Sequence, residues 1–219
     1  MAEFYKNLGY NAYYIMNNVK SLEKGDINST NNNKKENDQE INIGIYNAHS
    51  RELKNIYTQI LATTFFKNSK IDIVPISKEI KEYLKVLDIK YTCIDKFIPT
   101  EELMRRIKRN DINIYVTFTE CSPMFPMESF EQGVPCLIGN NNDYFIGSKL
   151  RDYVCVNRED DPREIRDKIT KVIENKEEVN YALLKTSYPS KKSLAVCTLG
   201  ILTERKRPLE HSKHTNHKE

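Results

Sequence analysis

At 219 residues, 39% hydrophobic and 10% aromatic, the chain has room for one sizeable core plus tails, with the balance of a soluble globular protein. Its 34 lysines and arginines against 31 acids give a net charge of +3, too little for the broad cationic surface that grips polyphosphate backbones, so nucleic acid is not an expected partner. The opening MAEFYKNLGY carries an acid and no apolar leader, and the longest nearly apolar run, Leu194 to Leu202, is too short for a bilayer; a cytoplasmic protein without a transmembrane segment is expected.

In chain order, residues 1–20 form a short segment in which Phe4, Leu8 and Tyr13–Met16 can pack, expected to dock onto the body of the protein. Residues 21–40, SLEKGDINSTNNNKKENDQE, have little to bury and read as a linker or mobile loop. Ile41, Ile43 and Ile45 then alternate with Asn42 and Gly44, and Leu53, Ile56, Tyr57, Ile60, Leu61 and Phe65 recur at three and four, so a strand is followed by a helix. The alternation continues with strands near 71–76, 89–94, 112–118, 134–139 and 153–156 and helices near 78–87, 101–109, 127–132 and 163–174. Thr100 is predicted to cap one helix, and Asp161-Pro162 to open another as cap and first helical residue. Residues 183–219 form a terminal helix and tail, expected to be mobile after about 204.

Strands joined by single helices run mostly parallel, and such a sheet needs helices on both faces. The fold class is therefore α/β, a doubly wound, Rossmann-like sheet over 41–182. Ligands of such sheets bind beyond the carboxyl ends of the strands, which directs attention to the residues just after 46, 76, 94, 118 and 139. The five cysteines are scattered singly, with Cys93, Cys136 and Cys155 in strand-like runs, and read as reduced thiols.

The run Ile112–Phe118 leads into TECSPMFPMESFEQGVPCLIGN, residues 119–140. Glu120 stands at the strand's carboxyl end and Glu128 in or near the first turn of the next helix, so both can face one crevice. Pro123 and Pro126 are expected to exclude regular helix and leave the amides of Met124, Phe125 and Met127 near a positive helix end suited to an anion. Carboxylates beside an anion site make sense if they accept hydrogen bonds from sugar hydroxyls while amides and a cation hold a diphosphate. A nucleotide-sugar has that layout.

E-x7-E formed by Glu120 and Glu128, followed by Gly133-Val134-Pro135 and a short apolar strand, resembles the E-G-F-P-x-x-x-x-E…G-x-P-V signature of retaining GT-B glycosyltransferases of the group 1 (family 4) type. LGYNAYYIMNN resembles the segment entering that family's donor domain, IGIYN…LKN its first strand and phosphate-binding lysine, and REDDPREIRDKITKVIEN a helix near its end; the likeness spans roughly 4–182. It implies a donor-binding domain, one half of a GT-B fold, that moves a sugar from a UDP- or GDP-linked donor to an acceptor glycan, lipid or protein with retention of configuration. Glu120 and Lys54 are then catalytic. Glu128 contacts the ribose, and Arg51, His49, Cys121, Ser122, Pro123, Met124, Phe125 and Ser129 contribute donor contacts. No metal or resident cofactor is implied. The acceptor-binding half, N-terminal in the family, is missing from the chain, so little or no turnover is expected.

His49 stands where the family carries arginine, and Cys121 and Pro123 where some variants carry glycine. These departures motivate a second reading, a non-catalytic binding or scaffold module with the same fold. A GT-B-like epimerase or a flavodoxin-like binder gives no reason for the E-x7-E spacing. Asp160-Asp161 is better read as a helix cap than a metal site, His211, His214 and His217 as part of a tail, and the 7 glycines argue against a Gly-rich phosphate loop.

Overall fold

The structure is a computed structural model that describes residue 7 and residues 40–46, 51–120, 123–142 and 144–185. All but residue 7 fall in one compact unit, Val19–Ser187; a second unit combines Met1–Asn18 with Tyr188–Glu219. The docking segment, the linker and the tail expected from the sequence lie outside the described residues, apart from residue 7 and Glu40.

Six strands form one all-parallel sheet: β1 (Ile41–Ile45), β2 (Ser69–Ile73), β3 (Tyr91–Cys93), β4 (Ile112–Tyr115), β5 (Cys136–Gly139) and β6 (Cys155–Val156). Their order is β3-β2-β1-β4-β5-β6, the doubly wound arrangement in which strand order reverses between β1 and β4. The connections carry α1 (Ile56–Thr63), α2 (Lys78–Val86), α3 (Thr100–Arg109), α4 (Met124–Glu131) and α5 (Lys149–Val154). Two further helices, α6 (Pro162–Glu174) and α7 (Lys176–Lys185), follow β6.

One face of β1 and β2 is apolar: Ile43, Ile45, Ile71 and Ile73 are fully buried, paired Ile43 with Ile71 and Ile45 with Ile73. Each such side chain contributes about 1.5–3 kcal/mol on leaving water. The other face carries Asn42, Gly44, Lys70, Asp72 and Thr92, with Gly44 beside Asp72 and Asp72 beside Thr92 in register. Along β4 every residue is buried, as expected of a strand covered on both sides.

The predicted elements recur with shifted ends. Asp161 caps α6, its carboxylate accepting from the Arg163 amide at 2.9 Å, with Pro162 at the first turn. Thr100 does not cap α3: Pro99 holds that position and no side chain caps the helix. The prolines do not delay α4 either, because Pro123 precedes its first residue and Pro126 sits in the first turn, where an amide has no helical partner to lose. Gly133, at φ +74°, ends that helix in the left-handed region and turns the chain into β5. The helix α5 had no counterpart among the predicted elements, and α7 starts ahead of the expected boundary at 183. Cys93, Cys136 and Cys155 are free thiols; Cys121 and Cys197 lie outside the described residues.

Candidate functional site

Lys54 is not on the first helix, as its place in the periodic run suggested. It ends a 3-10 turn, Glu52–Lys54, between β1 and α1. Asn55 follows in the left-handed conformation, φ 52°, and redirects the chain into α1. Two hydrogen bonds fix this turn against the exit of β4: the Phe118 amide donates to the Leu53 carbonyl at 3.0 Å and Asn55 Nδ2 to Val116 O at 3.1 Å; from α1, Gln59 Nε2 donates back to Lys54 O at 2.7 Å. Gln59, fully buried, also accepts from the Val116 amide at 3.2 Å. The turn after β1 is thereby fastened to the loop after β4, at the point where strand order reverses.

There the Lys54 ammonium forms an ion pair with Glu120 Oε1. The Tyr115 hydroxyl, at the end of β4, accepts from Lys54 Nζ at 3.0 Å and donates to Glu120 Oε1 at 2.8 Å. Burial, and then the hydrogen bond to Glu120, push the Tyr115 phenol well above its ordinary range, so it stays a neutral donor. Phe125, in the first turn of α4, packs on the Tyr115 ring and on the Tyr46 ring, both at 5.5 Å between centroids. Tyr144 reaches from the residues after β5 to donate to the Pro123 carbonyl at 3.1 Å, which anchors the start of α4.

Glu128 lies one turn into α4, half-buried, and its carboxylate makes no hydrogen bond or ion pair among the described residues. Desolvation alone raises its pKa. Arg51 is exposed; its carbonyl accepts from the Lys54 amide at 2.9 Å, and its side chain makes no ion pair among the described residues. Ser129 is fully buried and its hydroxyl is spent inside the domain, accepting from Asn113 Nδ2 and donating to the Val134 carbonyl, both at 2.8 Å. Pro123 and Phe125 are buried and Met124 is half-buried. His49, Cys121 and Ser122 lie outside the described residues. No group of three or more metal-ligating side chains occurs among the described residues.

Sequence reasoning missed Tyr115, Asn55 and Gln59. Gln59 did leave a signal, a lone amide among Ile56, Ile60 and Ala62 on a helix whose buried face is otherwise mostly apolar.

No protein-family model matches the sequence, and no curated protein matches it. Solved structures do. Over 74% of this chain it superposes on the catalytic domain of cholesterol-alpha-glucosyltransferase from Helicobacter pylori at TM-score 0.54 and 18% identity, covering 99% of that chain. The fold is that of a GT-B glycosyltransferase domain. Sucrose-phosphate synthase from Thermosynechococcus elongatus also matches, at TM-score 0.57 and 11% identity. The E. coli trehalose-6-phosphate protein bound with UDP-2-fluoro glucose matches at TM-score 0.57 and 12% identity. In these two the match covers 45% and 44% of the longer chains. Among the described residues, no helix of this GT-B-like unit is long and apolar enough to cross a membrane.

Proposed function

We propose that the chain binds a nucleotide-sugar at the β1/β4 crevice and serves as the donor-binding part of a retaining glycosyltransferase. The observation that carries this reading is the Lys54–Tyr115–Glu120 cluster, a cation and a carboxylate brought together from two loops at the reversal point of the sheet. Lys54 then meets the diphosphate, and the first-turn amides of α4 add donors at a positive helix end. Glu120 accepts from hydroxyls of the transferred sugar. Glu128, a half-buried carboxylate without a partner among the described residues, accepts from the ribose, and the hydroxyls supply hydrogen bonds to it.

The reaction this layout serves breaks the bond between the anomeric carbon and the diphosphate oxygen and forms one to an acceptor oxygen on the same face. The acceptor's proton passes to the departing diphosphate. Lys54 stabilises the charge that gathers there, and Tyr115 holds Lys54 and Glu120 at fixed separation before the donor arrives, so little reorganisation is needed. Acceptor contacts come from a second domain on this reading, and the chain alone binds donor weakly.

Calorimetry tests the proposal. UDP or GDP should bind the chain more tightly than uridine or guanosine, and a matching nucleotide-sugar should bind through Glu120. A properly folded chain that binds no nucleoside diphosphate and no nucleotide-sugar would sink the proposal and leave the scaffold reading.

A further inference from the structure

Away from the crevice, the polar face of β2 and β3 meets the last turn of α3 around a cavity of about 240 Å³, lined among others by Lys70, Asp72, Thr92, Arg106, Arg109 and Asn110. Strands of an all-parallel sheet are usually apolar on both faces. Here Lys70, Asp72 and Thr92 face outward instead, so this surface is built for polar contact.

The charge of the lining is one-sided, with Lys70, Arg106 and Arg109 against Asp72. Asp72 is spent: Oδ1 accepts from Arg106 Nη1 at 2.6 Å and from Thr92 Oγ1 at 3.1 Å, and Oδ2 accepts from the Tyr46 hydroxyl at 2.6 Å. Asn110 Nδ2 is engaged with Tyr46 and Asn113, at 2.9 and 2.8 Å. Lys70 and Arg109, by contrast, make no hydrogen bond or ion pair among the described residues. Arg106 Nε is buried without a hydrogen bond, although Glu102 Oε1 lies 3.3 Å away as an ion-pair partner. Three cations of the lining thus stand beside one lining carboxylate whose oxygens are already taken, Glu102 pairs with Arg106 from outside the lining, and the charge left over, on Lys70 and Arg109, is positive. A phosphate group carries only acceptors and up to two negative charges. The carboxyl end of α3 places partial negative charge nearby, so attraction rests on the side chains themselves.

We propose that this cavity is a second ligand site, independent of the donor crevice, and that it binds a small phosphate-bearing anion. Its volume is below the roughly 300–1,000 Å³ of pockets for drug-sized molecules, which limits the ligand to a phosphate with a short body. Lys70 and Arg109 supply the free charge. Arg106, already fixed by Asp72, supplies a preoriented guanidinium edge.

Inorganic phosphate and methyl phosphate, titrated by calorimetry into the Lys54→Ala variant, isolate this site from the crevice. Saturable binding at millimolar concentration is expected to persist there, and to weaken about tenfold on adding either Lys70→Ala or Arg109→Ala, the worth of one charge-assisted hydrogen bond. Both side chains lack partners among the described residues, so melting temperatures should hold and keep the comparison clean. Loss of all phosphate binding with Lys54→Ala alone, unchanged affinity in both cavity variants, or no binding to the wild-type chain would each overturn the proposal.

Discussion

Two ion pairs in this domain are built alike. Lys54 pairs with Glu120 and Arg106 with Asp72; in each a tyrosine hydroxyl donates to the carboxylate, and both tyrosine rings pack on Phe125. Their exposures are nearly the same, 21% and 16% for the first pair against 19% and 15% for the second. Burial therefore does not tell them apart. The difference is in what holds each partner: Arg106 and Asp72 sit on a helix and a strand, inside a chain of hydrogen bonds running from Asp72 through Tyr46, Asn110, Asn113 and Ser129 to the Val134 carbonyl. Lys54 and Glu120 sit on two loops. One pair is woven into the framework, and the other stands at its edge.

Breaking the framework pair should therefore cost stability, and breaking the edge pair should cost binding. The largest effect is expected at Gly44, where an added Cβ would lie under 3.0 Å from Asn113, Asn110 and Tyr46. Gly44→Ala should destabilise by about 3 kcal/mol or more, lowering Tm by roughly 6–12 °C in thermal unfolding. Asp72→Ala comes next: it removes the acceptor of the Tyr46 hydroxyl and leaves Arg106 only Glu102, at roughly 2 kcal/mol, less than a fully buried pair because some of each side chain is exposed. Should Asp72→Ala and Lys54→Ala shift Tm equally, the distinction between the pairs fails.

Lys54→Ala should leave Tm within about 2 °C of wild type yet weaken a nucleoside diphosphate roughly ten- to a hundredfold, with nucleoside binding unchanged. Equal loss for both ligands would remove Lys54 from the phosphate. The two glutamates sharpen the same point. Glu128→Ala should weaken nucleoside diphosphate and nucleotide-sugar alike by roughly tenfold or more, and Glu120→Ala only the advantage of the sugar-bearing ligand.

The smallest effect is one of pH. Because burial raises the Glu128 pKa in the folded chain, the folded state holds that proton more tightly than the unfolded state, and its ionisation costs stability as pH rises through the unfolded and then the folded value. Glu128→Gln should therefore melt slightly higher than wild type at pH 7, with the gain fading on acidification below about pH 4. A gain that grew toward low pH would contradict the burial of this carboxylate.

The parallel sheet, its six strands and the loops worth searching were legible because strands repeat apolar residues at period two and helices at three and four. The setting of Glu120 beyond β4 and of Glu128 in α4 was legible from the same change of period. Tyr115 was hidden: inside the run Ile112–Phe118 it reads as one more strand aromatic, and only the arrival of Lys54 from the turn after β1 gives its hydroxyl two partners. Ser129 misled for the opposite reason. It lies next to Glu128 in sequence, but adjacent helical positions point about 100° apart, and its side chain turns inward to Asn113. The prolines show why local rules need position: Pro126 would break a helix interior yet is at ease in a first turn.

The turn that carries Lys54 also bears on how the chain acquires its crevice in time. Lys54 and Glu120 are 66 residues apart and Asn55 reaches Glu159 across 104, so the site is assembled from contacts that close long loops. Such closures come at an entropic cost that local helices and the neighbouring β1–β2 pair do not face. A refolding chain can hold its first three strands and still have no crevice, because β4 must slot in beside β1 first. Recovery of ligand affinity should then trail recovery of helical signal in a refolding time course, and amides of the 51–55 turn should gain exchange protection only with those of β4.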